Sequence, residues 1–291
     1  MTRRFLKNHY RAILGYTFFC IAIFALSLYF LFPKEAITKR LIYELEKGTA
    51  TEIKTRGDQW TFPLGVSFKN FEFRKKTGNI SIVIGHLDKF SIGVPLKSIL
   101  SLSPVSEISA NSYGGSLKGI ITLSNNNKIT QAAWSNVDIS RIEKVKDIPI
   151  EITGISGGDM VMKLSNNSVP EGQIRLALKN GKLGKIKIMG FTLPDIPINE
   201  LNGTIDIKGQ NIVFKDTNFK NNDLKGLIKG DIQLKTASSS GNINIAIKFA
   251  PSEKMKKEQR GILSFIEKTK DKEGYYTIQI KGDFKKPSVS I

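Results

Sequence analysis

The sequence predicts a mainly β protein: a single N-terminal transmembrane helix, then an elongated, curved antiparallel β-sheet, trough or sandwich, with a few short helices. Three observations lead there. Ala12 to Phe32 contains no charged residue. From about residue 50 apolar residues recur at every second position instead of every third or fourth. Clusters rich in Gly, Asn and Ser separate those runs, as turns require.

The charge-free stretch AILGYTFFCIAIFALSLYFLF has 21 residues. As a helix it rises about 31 Å at ~1.5 Å per residue, which matches a hydrocarbon core of about 30 Å. It ends in Tyr29, Phe30, Leu31, Phe32 and Pro33 with no small-residue cleavage pattern, so an uncleaved anchor bounded by Ala12 and Phe32 is expected. Arg3, Arg4, Lys7 and Arg11 precede it, which favours a cytoplasmic N-terminus and a main domain in the periplasm. The domain order is then a basic stub over 1–11, a membrane span over 12–32, a juxtamembrane helix over 33–48 and a β-domain over 49–291. In the juxtamembrane piece Ile37, Leu41 and Leu45 make one helical stripe, ended by Gly48.

The β-domain alternates clearly. Ile80, Ile82 and Ile84 form one run, Ile174, Leu176 and Leu178 another, and Ile243, Ile245, Ile247 and Phe249 the longest. The positions between are mostly polar, which describes strands with one greasy and one wet face. Turns are expected at 75–79, 124–128, 165–172, 179–184 and 238–242. Short helices are expected at 95–102 and 138–145. A longer one is expected over 252–271, capping an end of the sheet, with Met255, Ile262 and Ile266 on its stripe and Gly261 weakening its middle.

Two stretches align at a constant offset: NSYGGSLKGII (111–121) and NFKNNDLKGLI (218–228). They mark hairpin repeat units near 105–124 and 212–235. Gly114-Gly115 in the first corresponds to Asn221-Asn222 in the second, and both residue types reach positive φ comparatively easily. A type I′ hairpin turn at each pair is expected, rather than a phosphate-binding loop, because the following residues alternate as strands. Gly119 and Gly226, inside those strands, permit a bulge or close packing.

The chain carries a formal net charge of +18. Its lysines are scattered singly over strand faces, which argues against a nucleic-acid partner; the favoured reading of the charge is compositional, since Lys, Asn and Ile are all abundant as an A+T-rich genome produces, with attraction to anionic lipid headgroups as a second. Cys20, the only cysteine, lies inside the expected span, so the β-domain has neither disulfide nor thiolate. Of two histidines, His9 is in the stub and His86 near a strand end beside Asp88. No metal-binding, nucleophile-elbow or P-loop motif occurs. The expectation is therefore a non-enzyme with no catalytic, cofactor-binding or metal residues and no cofactor.

Three segments resemble a known family. WTFPLGVSFKNFEF (60–73) is similar to the opening of its β-domain. LDKFSIGVPLKSILSLSPVSEISANSYGGSLKGIITL (87–123) resembles its next unit of strand, short helix and glycine-rich hairpin. GYYTIQIKGDFKKPSV (274–289) resembles its ending. The family is type II secretion system protein N, in the form found in delta-proteobacteria and spirochaetes, with β-repeats similar to those of AsmA-like proteins. The resemblance implies an inner-membrane-anchored periplasmic component of a protein secretion system, with other subunits as partners and no catalytic residues. Its AsmA-like side implies lipid transport along an apolar groove. In that alternative Ile82, Ile121, Ile205, Ile245 and Ile278 line the groove; otherwise they belong to a closed core.

Overall fold

A computed structural model describes the chain except residues 1, 32, 50, 62, 78–79, 102–104, 125–126, 143–150, 166–167, 186, 189–190, 193–194, 235–240, 284–285 and 291. Contacts divide it into units 1–50 and 51–291.

The first unit is helical. Helix α1 (Thr2–Leu31) and helix α2 (Lys34–Thr49) are separated at Pro33, whose missing N–H and ring disfavour a continuous helix. Arg40 and Glu44 pair one turn apart on α2. The described large apolar side chains of α1, among them Tyr16, Phe18, Phe19 and Phe24, are exposed. Among the described residues no helix is long and apolar enough to cross a membrane. The span expected over 12–32 is not found as such: Phe32 lies outside the described residues, as do the side chains at 25 and 28–30.

The second unit is built almost wholly of strands. β1 (Glu52–Lys54) and β2 (Asp58–Thr61) both pair with β3 (Leu64–Thr77). β4 (Ile80–Val94) is followed by the short helix α3 (Leu96–Leu100), within the expected 95–102. β5 (Val105–Ser112), β6 (Gly115–Ser124) and β7 (Asn127–Asp138) come next. A 3-10 turn at Ile139–Arg141 stands where a helix over 138–145 was expected; 143–145 lie outside the described residues. β8 (Glu151–Ser165) and β9 (Ser168–Gly184) follow, then the two-residue β10 (Lys187–Ile188) and β11 (Phe191–Thr192). β12 (Ile196–Lys208), β13 (Asn211–Lys220), β14 (Leu224–Leu234) and β15 (Gly241–Pro251) continue the series. Helices α4 (Glu253–Glu258) and α5 (Arg260–Ile266) precede β16 (Tyr276–Asp283) and β17 (Lys286–Ser290).

The fold is mainly β with an antiparallel sheet. Each strand on its path pairs with the next, in the order β1-β3-β4-β5-β6-β7-β8-β9-β12-β13-β14-β15-β16-β17, with β2 added at β3. β10 and β11 form a separate pair. Such a meander needs only short connections.

One turn expectation changes. Residues 179–184 lie inside β9 and do not reverse the chain. Asn180 there has φ 50°, opposite Gly154 at φ 134° on β8, and the register slips between Thr153 and Ile155. The Asn-Gly signal therefore makes a bulge, which bends a strand without ending it. The expected turn over 165–172 does reverse the chain, since β8 ends at Ser165 and pairs back with Ser168 at the start of β9, but its second half is already strand.

Between β15 and β16, Ser252 caps α4, its Oγ accepting from the Met255 N–H at 3.2 Å. The helical segment breaks at Gln259, just before Gly261.

Candidate functional site

Residues paired across antiparallel strands share a face of the sheet, so the register reads out which side chains lie together. One cross-strand row begins with Trp60 opposite Val66, Val66 opposite Ile92, and Ile92 opposite Ile108. It passes through Gly119, Ala132 and Met160. Ile174, Ile205 and Phe214 continue it, and Gly230, Ile245 and Ile280 complete it. No polar side chain interrupts these thirteen strands. At ~4.8 Å per strand the stripe is about 58 Å long, measured along the sheet.

The next rows on either side lie on the same face. One runs from Phe68 and Phe90 through Ala110, Leu117 and Trp134, and resumes as Ile228, Ile247 and Ile278. The other carries Ile121, Thr130 and Met162, then Ile207, Ile212 and Ile232. Both hairpin repeats deliver Leu-x-Gly-x-Ile to this face, as Leu117, Gly119 and Ile121 in one and Leu224, Gly226 and Ile228 in the other. Glycines let large neighbours lie across the sheet: a Cβ on Gly158 would sit 2.5 Å from Trp134 Cζ2. Trp134 Nε1 donates to Ser156 Oγ at 3.0 Å, which fixes the indole over that gap.

Burial on this face changes along the strands. Toward α4 and α5 the face is sealed, with Phe219 8% and Leu224 5% exposed. Ile198, Phe219 and Leu224 pack with Ile228, Ile247 and Met255 of α4. Leu263 and Ile266 of α5 pack on Tyr276 and Phe249. Tyr276 donates its hydroxyl to Glu267 Oε2 at 2.8 Å. Burial, then that bond, raises the phenol's pKa, while Lys270 and Tyr276 lower that of Glu267. A second closed patch at the start of the sheet joins Phe68, Phe71, Phe73 and Phe90, with ring centres 4.9 to 6.3 Å apart. At the opposite end of the strands, Leu123, Leu164 and Leu234 are 49%, 37% and 43% exposed. Between the two ends the central row from Ile92 to Ile280 is mostly half-buried.

The other face is wet. Arg175 donates from Nε and Nη2 to Asp159 Oδ2 at 3.0 and 2.8 Å, Lys215 pairs with Asp206, and Lys220 with Glu200 at 2.7 Å. Lys182 bridges Glu151 and Asp195. Bonds from Lys182 to Glu151, from Lys215 to Asp206 and from Lys220 to Glu200 hold these carboxyls below their ordinary range. A shallow hollow of about 890 Å³ lies on this face. Its lining comes in triplets such as 107–109, 118–120 and 159–161, whose middle residues belong to the apolar row. The flanking side chains, Glu107, Lys118 and Asp159 among them, therefore face the hollow. Glu107 and Asp159 stand three strands apart, about 14 Å at ~4.8 Å per strand, wider than the ~5–9.5 Å of glycosidase carboxyl pairs.

His86 Nε2 lies 3.2 Å from Asp88 Oδ1, but the nearby Ser112 hydroxyl donates to the His86 backbone carbonyl and not to the ring. That is not a nucleophile–base arrangement. Among the described residues no three His, Cys, Asp or Glu side chains are grouped to hold a metal ion.

Of the residues expected to line a groove, Ile121, Ile205, Ile245 and Ile278 all stand on the apolar face. Ile82 does not join them: beyond a bulge between Gly85 and Val83 it pairs with Lys75 near the β3–β4 tip, exposed. Alternation in 80–84 hid that slip. The first repeat's turn sits one residue earlier than expected. Tyr113 and Gly114 are its two positive-φ residues, at 53° and 78°, while Gly115 pairs with Ser112 as strand. Gly115 is instead required by packing, since a Cβ there would lie 2.6 Å from Ser135 O. Asn221 and Asn222 do not adopt positive φ. Asn221 Oδ1 accepts from the Asp223 N–H at 2.7 Å, a side-chain turn closing a longer loop. Sequence reasoning missed Phe214 and, although Met160 and Ile280 alternate within their own strands, could not place them in the row, which depends on pairing between distant segments. No family model, no curated protein and no solved structure matches the chain.

Proposed function

We propose that this protein is a tethered envelope protein whose sheet bends into a trough and holds lipid acyl chains on its apolar face, without catalysing a reaction. One observation carries the reading: an uninterrupted apolar row crosses thirteen strands yet is for the most part only half-buried, Val66 and Ala132 being the buried exceptions, with large side chains exposed along one margin. A protein ordinarily seals so much apolar surface, and a long contiguous apolar patch marks a binding surface. Acyl chains suit it because it offers length and apolarity with few polar groups to orient a compact ligand. Helix α1 is the tether in this proposal, supported by the charge-free 12–32 stretch and its exposed aromatic side chains, with the sheet on the periplasmic side of a bacterial inner membrane.

The test is native mass spectrometry of full-length protein released from mild detergent. Co-purified phospholipid is expected; a lipid-free chain after purification from membranes would refute the reading. Membership of a type II secretion system, acting through contacts with other subunits, is the second reading and rests on the resemblance of segments 60–73, 87–123 and 274–289. Unaltered export of every secreted substrate after deletion of the gene would remove it.

A further inference from the structure

The two margins of the apolar face differ in a way that gives the trough a direction. One margin is closed by Phe219, Leu224, Tyr276 and helices α4 and α5. The other exposes Leu123, Leu164 and Leu234. Within that open margin one charged residue stands among the apolar ones: Lys128 on β7 pairs with Leu123 of β6 on one side and Leu164 of β8 on the other. Its position is in step with Thr130, Ala132 and Trp134, with no register slip between, so it belongs to the apolar face. It is exposed and makes no ion pair among the described residues. By contrast several wet-face lysines, including Lys182, Lys215 and Lys220, are neutralised by carboxylates.

We infer that lipid enters the trough across the margin of Leu123, Leu164 and Leu234, and that it is an anionic phospholipid whose headgroup is held by Lys128 while its chains lie along the isoleucine rows. This rests on the acyl-chain reading above and adds the route and headgroup charge. The chemistry is complementary: an unneutralised ammonium sits where apolar surface meets water, which is where a phosphate at the end of two acyl chains would come to rest.

The experiment uses full-length protein in non-ionic detergent and two lipids sharing one diazirine-bearing acyl chain, phosphatidylglycerol and phosphatidylcholine. Cross-links are expected at peptides carrying Leu123, Leu164 and Leu234, with tighter binding of phosphatidylglycerol. Lys128→Glu is expected to weaken phosphatidylglycerol about fivefold, the equivalent of the ~1 kcal/mol a basic residue contributes near an anionic surface, and to leave phosphatidylcholine unchanged. Lys163→Glu, the same charge change on the wet face, is expected to leave both unchanged. Equal binding of the two lipids or equal effects of the two substitutions would overturn the inference while leaving acyl-chain binding intact, whereas cross-links confined to Ile120 and Val161 in the hollow of the opposite face would overturn the placing of acyl chains on the apolar face. Absence of cross-linking by either lipid would overturn the acyl-chain reading itself.

Discussion

Replacing Gly158 by alanine tests the register on which the apolar face depends. The added Cβ would lie 2.5 Å from Trp134 Cζ2 and 2.8 Å from Cη2, and closer still to the carbonyl oxygen of Arg175. The indole can tilt, at the expense of its 3.0 Å bond to Ser156. The carbonyl belongs to the β8–β9 ladder and can move only by distorting it. Overpacking of this kind costs about 1–3 kcal/mol. For a unit of this size each kcal/mol shifts Tm by about 2–4 °C, so a fall of roughly 2–12 °C is expected. Thermal unfolding of Gly158→Ala, followed by circular dichroism, measures it, and altered tryptophan emission reports the displaced indole. Adding Trp134→Leu should recover part of the loss, since one of two obstacles is gone, but not all. An unchanged Tm and emission spectrum would mean that Trp134 does not cover Gly158 and that the rows as paired here are wrong.

Other outcomes follow from the same architecture. Leu224→Ala, in the sealed cluster, should destabilise by about 2–5 kcal/mol, whereas Leu234→Ala at the open margin should stay within about 0.5 kcal/mol; similar losses in urea melts would contradict the burial gradient. Gly114→Ala, at φ 78°, should cost about 1 kcal/mol, but Gly115→Ala more, because packing and not backbone angle demands that glycine. Acid should weaken the sheet. Glu151, Glu200 and Asp206 have pKa values lowered by their lysine partners, so their contribution is full above the unfolded carboxylate range of about 3.9–4.3 and is lost as pH falls through the lower folded values. Melting temperatures flat from pH 6 to pH 3 would show that these pairs contribute nothing.

Much of the architecture was legible before any coordinates. Period-two alternation in 243–249 is a local property, and that segment is a strand as read, with Ile245 and Ile247 sharing a face with Ile280 and Ile278 of β16. The repeat at 111–121 and 218–228 marked two hairpins, because Leu-x-Gly-x-Ile places its apolar residues on one side wherever it occurs. Turn chemistry was less dependable. Asn180-Gly181 has the composition of a turn but makes a bulge, since strands on both sides, β8 and β12, hold the backbone extended. Ile82 alternates as well as Ile245 does, yet it pairs with Lys75 past a slip between Gly85 and Val83, at the far end of β4 from Ile92 of the row.

The sequence by itself determined that residues beyond 50 form two-faced strands, because side-chain alternation follows from backbone geometry within one segment. Only the tertiary structure decided that Trp60 and Ile280 stand in one row, that one margin is closed by α4 and α5, and that Lys128 stands among exposed leucines at the other. Those facts depend on pairing and docking between segments far apart in the chain, and alternation within a strand carries no information about its neighbours.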